Sequence, residues 1–183
     1  TEKGATYLVE EGNTRKYVPV PVEEFCKNRI RRMEEARQWL KIHVPSEKPH
    51  VEGYITIEGA RNILDKMRNL LDKVEQRVYI SCTRNYLLLL VRELEDLKRA
   101  GKKVVIVTDQ PVTFSGAKVY VGKSRGMQIG VIADSRYVLT GEYGEGSMNT
   151  CLYSGQKNFV ELYKTALGNE IKLLTIQEEK NKA

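Results

Sequence analysis

Between Gly126 and Asn149 the chain reads GMQIGVIADSRYVLTGEYGEGSMN, the stretch whose spacing comes nearest to catalysis. A phosphoryl-transfer site can be written on such a strand as a histidine nucleophile, a lysine two residues on to bind phosphate, an aspartate five further, and a later Gly-Ser-x-Asn. Met127 stands at the histidine position and Ile129 at the lysine position, and only Asp134 keeps its register. Neither replacement can attack phosphorus or hold an anion, and covalent catalysis needs an activated nucleophile beside its base. Counted from the aspartate, the pattern expects Gly-Ser near Gly141-Glu142, whereas Gly146-Ser147-Met148-Asn149 falls five residues later. The turn Asp134-Ser135-Arg136 explains its aspartate without chemistry, since aspartate favours turns. The two histidines of the chain, His43 and His50, precede this region and lie in or beside breaker-rich sequence.

Other chemistries have less support. There is no phosphate-binding glycine loop after a strand. The three cysteines, Cys26, Cys82 and Cys151, are scattered and have neither disulfide nor zinc spacing. They point to a reducing cytoplasm and to thiols that behave as small apolar residues, with Cys82 the best placed as a thiol sensor. A membrane span needs about 20 apolar residues, and no run approaches that. Thr1 to Tyr17 is too polar for a signal peptide. The net charge of +6 suits an acidic partner without specifying one. No metal or cofactor is expected, and the chain is expected not to be an enzyme.

The elements are legible from period and punctuation. Residues 1–20 form a hairpin: Tyr7-Leu8-Val9, a turn at Gly12-Asn13, then Lys16-Tyr17-Val18. Pro19 and Pro21 end it and open a helix over Val22 to His43, with Glu23 and Glu24 in its first turn. Its best apolar seam is Cys26, Ile30, Met33, Arg37, Leu40 and Val44, alternating spacings of four and three as a coiled-coil contact does. This predicts a dimerising linker over residues 21–46. The breaker segment Val44 to Tyr54 marks a domain boundary.

Alternating elements follow. A helix capped by Thr56 runs through Leu64 and Leu71. RVYISC (77–82) is a strand, a helix spans Asn85 to Ala100 and stops at Gly101, and KKVVIVT (102–108) is a doubly buried strand. Strand, helix and strand at that length predict a right-handed parallel crossover. Strands follow at 117–122, 127–134, 137–143 and 150–154, then a helix over about Asn158 to Leu174 and a charged tail, 177–183. The fold class is α/β.

Two segments together resemble the TrmB-type transcriptional regulators. GNTRKYVPVPVEEFCKNRIRRMEEA is similar to the wing exit and linker helix of that family. The region from EGYITIEGARNIL to VIVTD, with VIADSRYVLTGEY and QKNFVELYKTALGNEI, is similar to its sensor domain. The resemblance implies a phospholipase D-like mixed sheet flanked by helices, with the catalytic motif lost, as the effector domain (47–176). It also implies a homodimer that binds DNA through a winged helix, of which residues 1–20 supply the wing but no recognition helix. Arg15 and Lys16 on that wing would touch DNA phosphate, a contact that positions without specifying sequence. Ligands of open α/β sheets favour the carboxyl ends of parallel strands. The effector candidates are therefore Cys82, Thr83 and Arg84 after one strand and Thr108 and Asp109 after the next, with Arg125 as a second anion-binding cation. The runners-up are a phospholipase D-like phosphodiesterase and a dimerisation domain without ligand.

Overall fold

The computed structural model describes residues 4–45, 53–123, 125–145 and 148–180. The chain divides into two units, Thr1–Pro49 and His50–Ala183.

The first unit is a hairpin and a helix. Strands β1 (Thr6–Glu11) and β2 (Thr14–Pro19) pair antiparallel, Leu8 facing Tyr17 and Glu10 facing Arg15. The two-residue turn Gly12-Asn13 closes them as expected. Helix α1 (Val22–His43) has the bounds read from the sequence and starts after Pro21. The Tyr7 hydroxyl donates to the Glu24 carboxylate, tying the hairpin to the first turn of α1. None of the residues of α1 is buried. Ile30 is 69% exposed and Met33 71% exposed.

The second unit is a seven-stranded mixed sheet in the order β3-β9-β8-β7-β4-β5-β6. Its strands are β3 (Tyr54–Glu58), β4 (Arg77–Ser81), β5 (Lys103–Thr108), β6 (Lys118–Val121), β7 (Gln128–Ala133), β8 (Tyr137–Glu142) and β9 (Thr150–Ser154). The pairs β4–β5 and β5–β6 are parallel, and the remainder antiparallel. Side chains alternate across each strand. Val78, Ile80, Ile106, Ile129 and Val131 therefore pack on one face with helices α2 (Ala60–Leu71), α3 (Arg84–Leu88) and α4 (Val91–Arg99). Val105, Val107, Tyr120 and Ile132 pack on the other face with α5 (Lys157–Lys180). This is the phospholipase D-like α/β arrangement expected. Among the described residues no helix is long and apolar enough to cross a membrane.

Three elements differ from expectation. Tyr54–Glu58 is an edge strand, not the start of a helix; β3 pairs with β9, and the helix begins only at Ala60 after Gly59. Ile55 and Ile57 turn inward on alternate positions, and the Ser154 hydroxyl pins Gly53 through a 2.8 Å bond to its carbonyl. The helix from Asn85 breaks at Leu89-Leu90, because Leu87, Leu90 and Leu94 must all enter the same core. Arg68 donates to the Leu89 carbonyl at that break. Helix α5 continues through Lys180 into the segment expected to be a frayed tail.

The stop at Gly101 is as expected. Its φ of 71° permits paired bonds from Gly101 N–H to Lys98 and from Lys102 N–H to Leu97, the Schellman arrangement. Gly141 has another cause: a Cβ there would lie 2.2 Å from the Thr150 carbonyl oxygen. The β8–β9 ladder admits only glycine at this point, which lies where the catalytic pattern would expect its Gly-Ser.

Candidate functional site

The motif positions come first. Ile129 is 1% exposed and belongs to the packed face of β7. Met127 lies just before that strand, where its carbonyl accepts from the Tyr143 N–H at 2.8 Å. Tyr86 meets Tyr143 edge to face at 4.9 Å. Gly144 sits so close that a Cβ would lie 2.3 Å from the Tyr86 hydroxyl and 3.0 Å from Met127 Cγ. Thioether and aromatic rings thus fill the space around the motif's leading position. Asn149 serves the structure, since its Oδ1 accepts from the Gly144 N–H at 2.7 Å and its carbonyl accepts from Gly59. Gly146 and Ser147 lie outside the described residues.

Asp134 is a clamp. It opens the β7–β8 turn with φ of 50°, followed by Ser135 at 55°. Its carboxylate accepts from the backbone N–H groups of Glu75, Gln76 and Arg77 at 2.8, 2.8 and 2.9 Å. Partial burial pushes its pKa up, but the three N–H bonds and the Arg136 charge outweigh that and hold it below the usual aspartate value.

A cleft of about 720 Å³ opens between α3, α4 and the loop after β5. Leu88, Val91, Val112 and Phe114 line it together with Arg84, Glu95, Lys98 and Arg99, the last paired with Asp96. Lys98 donates to the Gly116 carbonyl and so braces the loop. The volume is that of a small-molecule site.

The six expected effector residues occupy different stations. Arg84 lines the cleft and is exposed. Cys82 and Thr108 are fully buried, so neither meets a ligand here. Burial pushes the Cys82 thiol up to about 12, well away from a reactive thiolate at neutral pH. Thr83 is the half-exposed residue that starts α3. Asp109 is engaged in capping that helix, its carboxylate accepting from the Arg84 N–H at 2.8 Å. Arg125 lies away from Arg84: it lines a separate shallow cavity and pairs with Glu170 of α5. The two arginines expected to share an anion line different cavities, and α5 supplies Arg125 with an acid. Sequence reading missed Leu88, Lys98, Val112 and Phe114. The available signal was an apolar VTF run directly after the end of a parallel strand.

On the hairpin, Arg15 pairs with Glu10 at 3.0 Å and Lys16 with Glu11 at 2.7 Å, all four side chains being well exposed. Such pairs are weak, so either cation can exchange its partner for phosphate. On α1, Cys26, Ile30, Met33 and Leu40 are exposed along one seam. Arg37 folds back onto Glu34 through two bonds of 2.8 and 2.5 Å. His43 stacks on Trp39 with ring centres 4.3 Å apart. Among the described residues no group of three or more histidine, cysteine, aspartate or glutamate side chains could hold a metal ion.

No family model and no curated protein matches the sequence. Solved structures do. TrmBL2, described as an archaeal chromatin protein with a novel mode of DNA binding, superposes with TM-score 0.56 at 16% identity, over 93% of this chain and 76% of its own. NucT from Helicobacter pylori superposes with TM-score 0.53 at 13% identity, over 66% of this chain and 97% of its own. A phospholipase D family member, Nuc from Salmonella typhimurium, reaches TM-score 0.44 at 13% identity, over 64% and 93%. At these identities the likeness to TrmBL2 and NucT is one of fold alone.

Proposed function

We propose that this chain is the linker and effector-sensing portion of a TrmB-like DNA-binding transcriptional regulator, dimeric through α1 and without catalysis. One observation carries the reading. The α/β unit is less than three quarters of the chain, so a likeness to TrmBL2 over 93% reaches into the hairpin and helix. The NucT likeness, over 66%, can be accommodated in the α/β unit alone. A DNA-binding chromatin protein thus shares elements beyond the sheet that the smaller neighbour does not require.

The residues support the same reading. Met127 and Ile129 leave the sheet without nucleophile or phosphate lysine. The exposed seam of α1 suits a second copy of itself. Arg15 and Lys16 on the hairpin suit phosphate contacts that position a duplex. The α3–α4 cleft suits an effector, and control requires that its ligand prefer one arrangement of the dimer over another. A regulator of this kind works in the cytoplasm, where three unpaired thiols remain reduced.

Duplex DNA titrated into the chain at several salt concentrations tests the DNA-binding half. Replacing Arg15 and Lys16 with alanine is expected to weaken binding about tenfold at moderate salt and to reduce the salt slope by about two. An unchanged slope removes these residues from the contact. The same preparation is expected to leave bis-p-nitrophenyl phosphate intact, and steady turnover lost on mutation of the sheet residues would make this an enzyme instead.

A further inference from the structure

The opposite face of the sheet holds a second cavity, of about 330 Å³, between the start of β4, the β7–β8 turn and α5. Its floor is Tyr79 and Ile132, its wall is Ile171 and Gly168, and Arg77 and Lys164 stand at its edge. We propose that this cavity binds a small phosphomonoester with an aromatic or apolar body. The proposal is independent of the effector cleft under α3 and α4.

Three observations lead there. The first is charge. Arg77 and Lys103 are direct partners across the parallel β4–β5 pair, on the same face of the sheet. Neighbouring strands are about 4.8 Å apart, so the two side chains leave the sheet side by side. The Asp134 carboxylate accepts from three backbone N–H groups, one of them that of Arg77, and among the described residues it pairs with neither cation's head group. Lys103 Nζ lies 6.0 Å from the Tyr79 ring centre, at the cavity floor. Lys164 pairs with Glu161 at 2.7 Å. Three cations against Glu161 and Asp134 leave an excess of about one charge, which favours an anion such as a phosphomonoester over a neutral ligand.

The second observation is Gly168. It lies in the interior of α5, a 24-residue helix, where glycine is less stable than alanine by about 1 kcal/mol. Close packing does not require it, because a Cβ at this position would meet no atom within 4 Å. The missing side chain leaves the cavity wall open. The third is the floor itself. A tyrosine ring beside isoleucine side chains offers a flat apolar surface that inorganic phosphate cannot use and that an aromatic ring covers more fully than a hydroxyl-rich sugar does.

Isothermal titration of the whole chain with phenyl phosphate, glucose 6-phosphate and inorganic phosphate tests this. Phenyl phosphate is expected to bind at least tenfold more tightly than the other two. Arg77→Ala with Lys103→Ala should weaken it at least tenfold, and Arg84→Ala, in the other cleft, should leave it unchanged. Gly168→Leu places a side chain in the open space while improving the helix. It should abolish binding and keep the melting temperature at or above that of the parent. Undiminished binding in Gly168→Leu or in the double variant, no heat from phenyl phosphate at millimolar concentration, or equal binding of glucose 6-phosphate each overturns the assignment. A short DNA duplex that loses affinity in the double variant but not in Gly168→Leu would assign the cations to a nucleic acid and likewise overturn it.

Discussion

If α1 pairs as proposed, replacing both Ile30 and Met33 with aspartate is expected to convert a dimer into a monomer of 20.9 kDa, as measured by light scattering. These side chains hold adjacent positions of the α1 seam and are 69% and 71% exposed. In a paired helix each would bury surface worth about 1.5–3 kcal/mol, so four side chains across the dimer contribute roughly 6 kcal/mol or more. Losing that shifts a dimer dissociation constant by about four decades. Arg37 stands in the same seam, its charge held by Glu34, so the pairing tolerates one polar layer. Arg32→Asp lies off the seam and is the control; it should leave the mass of the parent unchanged. A double variant with the same mass as the parent, or a parent that is already a monomer, would overturn the pairing of α1.

Asp134→Ala is expected to lower the melting temperature by about 8 °C at pH 7, from a loss of about 2 kcal/mol. The carboxylate fixes three consecutive N–H groups ahead of and within β4, and the Asp134 N–H returns a 2.9 Å bond to the Arg77 carbonyl. The clamp joins the β7–β8 turn to the strand at the centre of the sheet. Because the carboxylate is partly exposed, water takes up some of the freed donors, which keeps the loss at the low end for a charged acceptor. The acid limb has a definite sign. The folded pKa lies below the ordinary value, so the stabilisation is complete above the unfolded value of about 3.9 and is lost as pH falls through the folded value. The gap in melting temperature between the parent and Asp134→Asn should stay constant from neutral pH to about 5 and close below about 4. A gap that persists undiminished at pH 2, or an alanine variant that melts with the parent, would assign Asp134 no clamping role.

This clamp also bears on the phosphodiesterase pattern. Asp134 is the one residue of that pattern in register, and what it does in this chain is hold backbone. A fold can keep such an aspartate after its nucleophile is gone, since the residue serves the sheet and not the reaction.

Local signals explain most of what could be read in advance. The Gly12-Asn13 turn, the flanking prolines and the long run without glycine or proline delimit the hairpin and α1, because turn closure and helix start depend on neighbours in sequence. The loss of chemistry is equally local: Met127 and Ile129 cannot do what histidine and lysine do in any fold. Strand β3 was not legible, since Tyr54–Glu58 becomes a strand only by pairing with Thr150–Ser154, almost a hundred residues away. The break between α3 and α4 escaped for a similar reason, as four consecutive leucines carry no period and the core decides which of them turn inward.

By itself, then, the sequence determined the hairpin, most of the strands and helices of the second unit, the seam on α1 and the lack of histidine and lysine at the motif positions, all of which follow from residue type and short-range spacing. Only the tertiary structure decided which cations share a site. It parted Arg84 from Arg125 by giving the latter Glu170, buried Cys82 and Thr108 beneath the sheet's end, and set Arg77 beside Lys103. Those outcomes depend on strand register and on where α5 crosses the sheet. Both are fixed by burying two apolar faces at once, a condition that no short window of residues contains.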